Sequence, residues 1–418
     1  MNSLWAYLKE KMQGYADRIA LAGMNVTYSD ILRLTEQRHA YKKLSVCVGQ
    51  TREEHALSIL RCIASGDVAV PCSLEYGIKN FEYIVNTVNA AQENVDDLAF
   101  VMFTSGTTGK PKGVMLTDEN IITNLDYIST YFDIQHCRNI CIARPLVHIA
   151  VLTGELLYAL CNGLTVYFYE EPFMPKRLMS FLVKNKIDVF CATPTLYSAL
   201  AKSNVNHACP IKVGAISGEV LSESAGRIIS DTFPHARFYN VYGLTEHSPR
   251  VSALLPDEFK ARPNSIGKPI GGVTAKIENG ELLIRSRCVM KGYFRDELQT
   301  AAKLRDGWLH TGDMAHADAD GYLYIDGRKD NMIIRSGINI YPEEIELAVK
   351  ECSGIEDCVA YGENTERGVV VCLRYVGKMP SEELRRRLIG ALNPVIVPNR
   401  IEQVERIERT ASGKKVRK

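Results

Sequence analysis

Short runs of apolar residues alternate along the chain with segments in which apolar residues recur at helical spacing. Examples of the first kind are LAFVMF (98–103), LTVYFY (164–169) and IDVFCA (187–192). Runs of this length, bounded by turn residues, are typical of buried strands. Strand-like runs separated by helical segments are typical of α/β proteins. The pattern therefore predicts an α/β fold.

The clearest helical segment follows the first of these runs. Between residues 121 and 132, apolar side chains recur every three or four positions. Thr117 or Asp118 is available as the N-cap, because both side chains can accept a hydrogen bond from a backbone N–H of the first turn. The stretch 98–132 is therefore predicted to form a strand, a loop and a helix.

The pattern changes in the last third of the chain. From about residue 265, glycine-rich turns separate short strand-like pieces such as GYLYIDG (321–327). Beyond Asp330 follow the helix-like PEEIELAVKEC, the strand-like GVVVCLRYV and the helix-like SEELRRRLIGAL. We therefore predict two domains: a large α/β domain of several subdomains over residues 1–329, and a small α+β domain over residues 330–418.

Composition narrows the class of protein. Of the 418 residues, 46% are hydrophobic and 24% are charged, as in average globular proteins. Because 50 basic and 49 acidic residues leave a net charge of +1, no nucleic-acid partner is expected. No stretch approaches the roughly 18 consecutive apolar residues of a membrane helix, and the N-terminus does not resemble a signal peptide. A soluble cytoplasmic protein without a membrane partner is expected.

The twelve cysteines do not suggest a metal site or a disulfide framework. Their spacing is irregular: Cys137 and Cys141 are separated by three residues, and the sequence contains no CxxC pair. Regular short spacings are what zinc sites require. The cysteines are therefore expected to be reduced and mostly buried.

The stretch FTSGTTGKPKGV (103–114) is the strongest indication of chemistry. Ten of its residues include three glycines, four Ser or Thr and two lysines. They supply backbone N–H groups, hydroxyl donors and positive charge, which together suit a polyphosphate. A Walker A loop does not fit in any register. The predicted phosphate ligands are Thr104, Ser105, Gly106, Thr107, Thr108, Gly109 and Lys112.

This loop, followed by Lys-Pro-Lys-Gly, resembles the phosphate loop of the adenylate-forming superfamily, which includes acyl- and aryl-CoA synthetases, luciferases and the adenylation domains of peptide synthetases. The stretch NVYGLTE resembles the adenine and phosphate motif of that superfamily. The resemblance implies that Asn240 contacts the adenine amino group and that Tyr242 stacks on the ring. It also implies that Thr245 binds the α-phosphate and that Glu246 holds Mg²⁺.

Three further motifs complete the resemblance at the nucleotide site. SGE (217–219) is similar to the adenine-edge turn, in which Gly218 lets the backbone approach the base and Glu219 follows. GWLHTGD ends at Asp313 and GYLYIDGR ends at Arg328. The resemblance implies that this carboxylate and guanidinium bind the ribose hydroxyls.

The resemblance also implies a mobile small domain that supplies a catalytic lysine. Asp330 falls at the position of the hinge residue, about which the small domain of the superfamily swings. The Ser-Gly-Lys context near the C-terminus implies that Lys414 bridges the substrate carboxylate and the α-phosphate. The neighbouring Lys415, Arg417 and Lys418 are interpreted as ordinary solubilising charge.

The acid pocket is predicted from a single segment and its neighbours. PLVHIA resembles the histidine-bearing segment of acyl- and aryl-CoA synthetases, so His148 is expected to border the acid, although a structural role is the alternative. Ala150 stands where amino-acid-activating members carry an Asp, which disfavours a standard α-amino acid. Gly243 is assigned to the same pocket. Arg250 could meet a second anionic group of the substrate, but a surface salt bridge is the expected role.

The N-terminal region is shorter than in most members of the superfamily. Only about 70 residues separate TYSDIL (27–32) from the phosphate loop. A subdomain's worth of strands and helices is therefore expected to be missing, which would open the acid pocket or create a surface for a partner.

The leading hypothesis is an AMP-forming acid–thiol ligase. It would use ATP and Mg²⁺ to convert an aryl or acyl acid into an acyl-adenylate, releasing pyrophosphate, and would pass the acyl group to CoA as a thioester. One alternative acceptor is the phosphopantetheine arm of an acyl or peptidyl carrier protein. An alternative of another class is a non-catalytic nucleotide-binding relative.

Overall fold

The structure is a computed structural model that describes residues 3–34, 41–73, 78–91, 95–105, 111–203, 209–335, 338–365, 368–409 and 415–417. Five predicted site residues lie outside the described residues: Gly106, Thr107, Thr108, Gly109 and Lys414. The chain divides into two compact units, one comprising Met1–Ala275 with Ile284–Leu309 and the other Lys276–Leu283 with His310–Lys418. The second unit thus also includes residues that precede position 330, and the predicted boundary at 329/330 stays a prediction.

The helices are distributed along the whole chain. The α-helices are Leu4–Met12 (α1), Tyr28–Leu32 (α2), Arg52–Ala64 (α3), Ile78–Asn89 (α4), Asp118–Ser129 (α5), Ile149–Val151 (α6), Tyr158–Cys161 (α7), Pro175–Lys184 (α8), Pro194–Lys202 (α9), Glu223–Thr232 (α10), Pro256–Phe259 (α11), Glu297–Lys303 (α12), Pro342–Lys350 (α13) and Ser381–Ala391 (α14). A π-helical turn, Leu152–Leu157, joins α6 to α7, and short 3-10 helices occupy Gln13–Tyr15, Thr245–His247 and Lys329–Asn331. Within the described ranges, no helix is both long enough and apolar enough to cross a membrane.

The strands alternate with these helices, as the α/β pattern predicts. They are Ile19–Leu21 (β1), Val26–Thr27 (β2), Leu44–Cys47 (β3), Val68–Pro71 (β4), Leu98–Ser105 (β5), Pro111–Thr117 (β6), Asn139–Ile142 (β7), Thr165–Phe168 (β8), Val189–Ala192 (β9), Val213–Ser217 (β10), Arg237–Gly243 (β11), Arg250–Leu254 (β12), Lys268–Pro269 (β13), Thr274–Glu278 (β14), Glu281–Arg285 (β15), Gly292–Tyr293 (β16), Leu304–Arg305 (β17), Trp308–Ala317 (β18), Leu323–Arg328 (β19), Ile333–Arg335 (β20), Ile338–Ile340 (β21), Ile355–Thr365 (β22), Gly368–Gly377 (β23) and Arg400–Gln403 (β24).

The first unit contains a nine-stranded sheet in the order β13-β12-β11-β10-β9-β7-β8-β1-β2. Its central strands β11, β10, β9, β7 and β8 run parallel to one another. All residues of β9 and β10 are buried, because helices cover both faces of a parallel sheet. This burial explains the apolar run at 189–192, so the strand predicted within residues 187–192 is confirmed.

A second sheet in the first unit has the order β16-β6-β5-β4-β3. It corrects the predicted strand, loop and helix over residues 98–132, because the strand β6 intervenes and pairs antiparallel with β5. Val114 and Leu116 on β6 are fully buried, and this alternation is typical of a strand with one buried face. The helix α5 then begins as predicted, with Thr117 as its N-cap and Asn120 completing a capping box.

The remaining strands form three smaller sheets. A five-stranded sheet has the order β14-β15-β18-β17, with β19 also paired to β18. The strands β20 and β21 form a hairpin, and β22, β23 and β24 form a three-stranded sheet. In the second unit, the helices α13 and α14 contribute Ile345, Val349, Leu384 and Leu388 to one apolar core together with β22 and β23. The predicted order of helix, strand and helix beyond residue 340 is confirmed, with β22 in addition.

Candidate active site

In the first unit, three of the predicted motifs follow strands of the nine-stranded sheet. SGE (217–219) begins at the end of β10, the YGLTE segment (242–246) begins at the end of β11, and the segment with His148 follows β7. Because β7, β9, β10 and β11 are parallel, their carboxyl ends share one edge of the sheet. Ligands of open α/β sheets bind outside that edge. The arrangement is what a nucleotide and acid site requires.

The turn after β10 has the geometry that a glycine provides. Gly218 adopts a φ of +93°, in the left-handed region that other residues enter only with strain. A Cβ at this position would have 3.7 Å of clearance to Arg144 and Thr193, so conformation rather than space requires the glycine. Glu219 is oriented by Thr195, whose Oγ1 donates to Oε2 over 2.5 Å.

The side-chain amide of Asn240 is held in one orientation. Its Nδ2 donates to the backbone carbonyls of Pro263, over 3.1 Å, and of Ser265, over 2.8 Å. Both amide hydrogens are therefore used within the protein, and Oδ1 is left as an acceptor. An acceptor at this position suits a donor such as an adenine amino group. Asn240 is only 3% exposed.

The turn after β11 is closed by backbone contacts and a buried histidine. A Cβ on Gly243 would lie 2.2 Å from the carbonyl oxygen of Pro249, so only glycine fits where β11 and β12 approach each other. His247 is fully buried, and its Nε2 lies 2.7 Å from Ser286 Oγ. Burial lowers the pKa of His247 to about 4. His247 is therefore neutral at physiological pH and holds this turn in place.

Tyr293 connects the phosphate-loop hairpin to the YGLTE segment. Its hydroxyl donates to Glu246 Oε1 over 2.7 Å, and its ring lies 5.6 Å below the ammonium of Lys112. The strand β16, which carries Tyr293, pairs with β6 next to the loop. The structure thus brings together two residues that the motifs assign to phosphate and to metal.

The phosphate-loop residues that the structure describes belong to the β5–β6 hairpin. Thr104 pairs with Lys112 in the register of the two strands, and Ser105 pairs with Pro111. The ammonium of Lys112 also donates to Gln299 Oε1 over 3.2 Å. Lys112 is thereby held close to the end of the hairpin that carries the loop, whose residues are predicted to bind phosphate.

The predicted metal ligand suits a magnesium ion that is held mainly by phosphates. Among the described residues, no group of three or more His, Cys, Asp or Glu could hold a metal ion. Mg²⁺ usually keeps several waters and binds through one or two carboxylates plus substrate phosphates. In the described structure, Tyr293 donates to Oε1 of Glu246, and a carboxylate oxygen is the kind of ligand that Mg²⁺ prefers. The chemistry of a single carboxylate therefore fits the ion.

The predicted acid pocket lies beside an unusual helix. His148 is exposed and is the N-cap residue of α6, and Ala150 lies within that helix. The π-helical turn Leu152–Leu157 continues it. Such turns are rare and occur frequently at functional sites.

The structure corrects the expected surface role of Arg250. Arg250 is only 2% exposed, and its Nη1 donates to the hydroxyl of Tyr131 over 3.4 Å. Nearby, Arg144 Nη2 donates to Glu155 Oε1 over 2.5 Å. Burial raises the pKa of the Glu155 carboxyl, and the two guanidiniums counteract that rise. Arg250 therefore belongs to a buried group of charges, not to a surface salt bridge.

The second unit contains the two residues predicted to bind ribose. Asp313 and Arg328 are partners in the register of β18 and β19. Arg328 Nη1 donates to Asp313 Oδ1 over 2.8 Å, and the Asp313 side chain is 9% exposed. Fifteen residues apart in sequence, they form one acidic and basic pair. Asp330 follows within the same unit, in the 3-10 helix Lys329–Asn331, and its hinge role stays a prediction.

The charges next to Lys414 are not merely solubilising. Lys415 Nζ lies 3.2 Å from both Glu346 Oε2 and Asp357 Oδ1, and its side chain is 15% exposed. Arg417 forms ion pairs with Glu343, over 3.1 Å, and with Glu346. Burial alone would lower the pKa of Lys415, but the carboxylates outweigh burial and raise it. The interpretation of Lys415 and Arg417 as solvated tail residues is therefore wrong.

Sequence reasoning missed three residues of the first unit. Tyr293 and Arg144 were not singled out by any motif. Glu155 ends the run IAVLTGE (149–155), which was compared with the amino-acid-activating segment for its Ala150 alone. Two charged residues 11 positions apart within an apolar stretch were the one available signal, since buried charges are usually paired.

Comparison with known families agrees with this geometry. The sequence model of the AMP-binding enzyme family matches residues 86–294, and the model of the AMP-binding enzyme C-terminal domain matches residues 344–414. This chain belongs to the AMP-binding enzyme family. The membership accounts for the presence of a phosphate loop, an adenine motif and a small C-terminal domain in one chain.

Several curated proteins are similar to this AMP-binding enzyme. It is 33% identical to a long-chain-fatty-acid–CoA ligase of Bacillus subtilis over 344 residues, which is 77% of this chain and 61% of the relative. It is 31% identical to a feruloyl-CoA synthase of Amycolatopsis over 77% of this chain and 68% of the relative. A 2-succinylbenzoate–CoA ligase of Listeria monocytogenes is 30% identical over 76% of this chain and 68% of the relative. The chain thus spans between 61% and 68% of the length of these relatives.

Solved structures show the same fold. An o-succinylbenzoate CoA synthetase from Bacillus subtilis in complex with its acyl-adenylate superposes with a TM-score of 0.87 at 24% identity, covering 100% of this chain and 97% of the other. An amide bond synthetase from Marinactinospora thermotolerans superposes with a TM-score of 0.86 at 22% identity, covering 99% and 98%. The AMP-binding enzyme therefore has the fold of the adenylate-forming enzymes, as its motifs predict.

Proposed function

We propose that this AMP-binding enzyme is an AMP-forming acid–thiol ligase. It activates an aryl or acyl carboxylic acid with ATP and passes the acyl group to the thiol of CoA. The names of the three similar curated proteins, which are CoA ligases or synthases, support this assignment. The observation that carries it is the contact of one residue, Tyr293, with both Glu246 and Lys112.

The first step is the transfer of an adenylyl group to the acid. A carboxylate oxygen of the substrate forms a bond to the α-phosphorus, and the bond from that phosphorus to the bridging oxygen breaks, so that pyrophosphate leaves with its electron pair. Negative charge accumulates around the α-phosphate, and catalysis depends on positioning and on electrostatic stabilisation. Thr245 would donate to the α-phosphate, and Lys414 would bridge it to the substrate carboxylate.

Separate motifs would hold the base and the ribose of the nucleotide. Asn240 accepts from the adenine amino group, Tyr242 stacks on the base, and the turn at Gly218 lets the backbone approach its edge. Asp313 accepts from the ribose hydroxyls with Arg328 beside it. The orientation of the Asn240 amide and the pairing of Asp313 with Arg328 support these roles.

The phosphates would be held by the loop between β5 and β6. Backbone N–H groups and hydroxyls of residues 104–109 and the ammonium of Lys112 supply donors and positive charge. Glu246 would hold Mg²⁺ through one carboxylate oxygen. When bound, the ion neutralises the charge that develops on the phosphates.

The acid is proposed to be an aryl or acyl acid rather than a standard α-amino acid. Ala150 cannot pair with an α-ammonium group, and burying that cation without a partner would cost several kcal/mol. His148 and Gly243 would line the pocket. In the second step the thiolate of CoA attacks the acyl carbon and AMP leaves, after the small domain has swung about Asp330.

The assignment is tested by ATP–pyrophosphate exchange over a panel of aryl, fatty and amino acids. Exchange that depends on an aryl or acyl acid is expected, and Lys414→Ala should lower it by about 10² or more. Lys378→Ala is the matched control, because Lys378 is an exposed lysine of the same unit. If no acid of the panel supports exchange, the proposal is overturned and a non-catalytic nucleotide-binding relative is favoured.

The acceptor is tested separately. Pre-formed acyl-adenylate is offered to CoA and to a carrier protein bearing phosphopantetheine. Rapid thioester formation with CoA is expected. Thioester formation with the carrier protein alone would reassign the chain as a stand-alone loading enzyme.

A further inference from the structure

Two arginines and one glutamate form a buried charge cluster in the first unit. Glu155 lies on the π-helical turn and is fully buried, and its Oε1 accepts from Arg144 Nη2 over 2.5 Å. Arg250 lies against the same turn, since a Cβ on Gly154 would be 2.9 Å from Arg250 Nε. The glycine therefore makes room for the guanidinium of Arg250 beside Glu155.

Aromatic groups surround the deeper arginine. The Arg250 guanidinium lies 5.8 Å from the centre of the Phe132 ring, and Nη1 donates to the hydroxyl of Tyr131 over 3.4 Å. Phe132 carries no charge, and burial raises the pKa of the Tyr131 hydroxyl above its ordinary value, so both groups are neutral. They orient the guanidinium but do not balance its charge.

The cluster contains more positive than negative charge. Arg144 and Arg250 contribute two positive charges, and Glu155 contributes one negative charge. Within the described part of the chain, Nε of Arg144, Nε of Arg250, Oε2 of Glu155 and Oγ1 of Thr153 are buried without a hydrogen-bond partner. A buried guanidinium without a counter-charge is unfavourable. The site is therefore suited to bind an additional anionic group.

Arg144 is the member of the cluster that a ligand can reach. Its side chain is 14% exposed, whereas that of Glu155 is fully buried and Arg250 is 2% exposed. Arg144 Nη1 lies 3.5 Å from Ser217 Oγ, at the turn that precedes Gly218. Arg144 follows β7 and precedes His148, so it shares the carboxyl edge of the sheet with the proposed nucleotide and acid site.

We propose that this cluster selects acids that carry a second carboxylate, so that the substrates are dicarboxylic acids. Arg144 contacts the second carboxylate, and Glu155 is the positioning residue that holds the guanidinium of Arg144. Arg250 lies against the same turn and adds positive charge to the cluster. The inference rests on the proposed acid-activating function and specifies its substrate class. The reacting carboxylate is directed to the α-phosphate, and the second one is directed to Arg144.

The test compares each dicarboxylic acid with its monoamide, which has nearly the same shape but lacks the second charge. Acid-dependent ATP–pyrophosphate exchange yields kcat/KM for both members of each pair. We expect the wild-type chain to prefer the best dicarboxylic acid over its monoamide by about tenfold or more. A ratio near or below one across the panel overturns the inference, even where monoamides or monocarboxylic acids are activated.

Variants of Arg144 test whether this residue binds the second carboxylate of the substrate. Arg144→Gln should reduce the ratio of kcat/KM between diacid and monoamide about tenfold, and Arg144→Lys should retain part of it, because the charge is kept. Arg227→Gln is the control, since Arg227 is an exposed arginine that pairs with Glu223 on the same helix. An equal loss for both members of a pair overturns the inference, because the charge would then serve the reacting carboxylate or ATP.

The two proposals fail in different ways. Absence of exchange with every acid overturns the proposed function and this inference with it. Exchange only with acids that lack a second carboxylate overturns the inference but not the proposed function. If Arg144→Gln does not fold, the inference is still tested by the ratio of kcat/KM between diacid and monoamide in the wild-type chain and in Arg144→Lys.

Discussion

The hydroxyl of Tyr293 donates a 2.7 Å hydrogen bond to the carboxylate of Glu246, 47 residues earlier in the chain. The same ring lies below the ammonium of Lys112. Tyr293 thereby fixes which oxygen of Glu246 is occupied and holds the proposed phosphate lysine beside it. Residues that orient a metal ligand in this way are important for metal affinity.

Removal of this hydroxyl should weaken the use of magnesium. In Tyr293→Phe the ring and its contact with Lys112 are kept, but Glu246 loses a hydrogen bond to a charged group, worth about 1.5–3 kcal/mol. We expect the Mg²⁺ concentration for half-maximal ATP–pyrophosphate exchange to rise roughly tenfold. Tyr83→Phe, at a partly exposed tyrosine, is the control. An unchanged Mg²⁺ dependence would exclude this role for Tyr293.

The pairing of Asp313 with Arg328 predicts how the enzyme recognises ribose. If Asp313 accepts from both ribose hydroxyls, Asp313→Asn should raise KM for ATP roughly tenfold or more. KM for 2′-deoxy-ATP should rise less, because one of those hydrogen bonds is already missing. Asp320→Asn, at an exposed turn of the same unit, is the control. An equal rise for both nucleotides would indicate that Asp313 only supports the local structure.

The contacts of Lys415 predict a measurable contribution to stability. In Lys415→Met, the carboxylates of Glu346 and Asp357 lose a partner at 3.2 Å. Loss of such a charged hydrogen bond costs about 1–3 kcal/mol, and urea denaturation should show a lower free energy of unfolding. Lys378→Met should change it by no more than about 0.5 kcal/mol.

A double-mutant cycle separates the pair from other effects of the substitution. Lys415→Met and Glu346→Gln should together cost less than the sum of the single changes, because each alone leaves a charge without its partner. Full additivity would show that Lys415 and Glu346 do not stabilise each other.

The buried His247 predicts a loss of stability in mild acid. Burial lowers its pKa to about 4 from an ordinary value of 6.5. Between these values the unfolded chain binds a proton that the folded chain does not, so the free energy of unfolding falls as pH falls. The full effect is on the order of 3 kcal/mol, and His55, whose pKa burial also lowers to about 4, adds to it.

The contribution of His247 is measured by urea denaturation at several pH values from neutral to acidic. His247→Gln should flatten the dependence of the free energy of unfolding on pH, whatever its effect at neutral pH. His235→Gln, at an exposed histidine, should leave the slope as in the unmodified chain. A slope that is the same with and without His247 would assign the acid sensitivity to other groups.

Much of the fold was predictable because its signals are local. The strand at residues 98–103, the helix α5 with its Thr117 cap, and the C-terminal elements α13, β23 and α14 all follow from the spacing of apolar residues and from caps. The glycine-dependent turn at Gly218 was predictable for the same reason. The strand β6 was missed, because its segment follows a loop and begins with lysine and glycine, so apolar and polar residues do not alternate clearly along it. Its pairing with β5 identifies it as a strand.

By itself, then, the sequence determined the family, the order of its motifs and the residue types that a nucleotide site requires, since each of these depends on neighbouring positions. Only the tertiary structure decided which distant side chains meet. Lys112 reaches Gln299 across 187 positions, and Lys415 reaches Glu346 across 69. Arg250 is buried because strand pairing places it against Gly154 and Tyr131. Such contacts depend on sheet order and packing, which no local spacing of residues specifies.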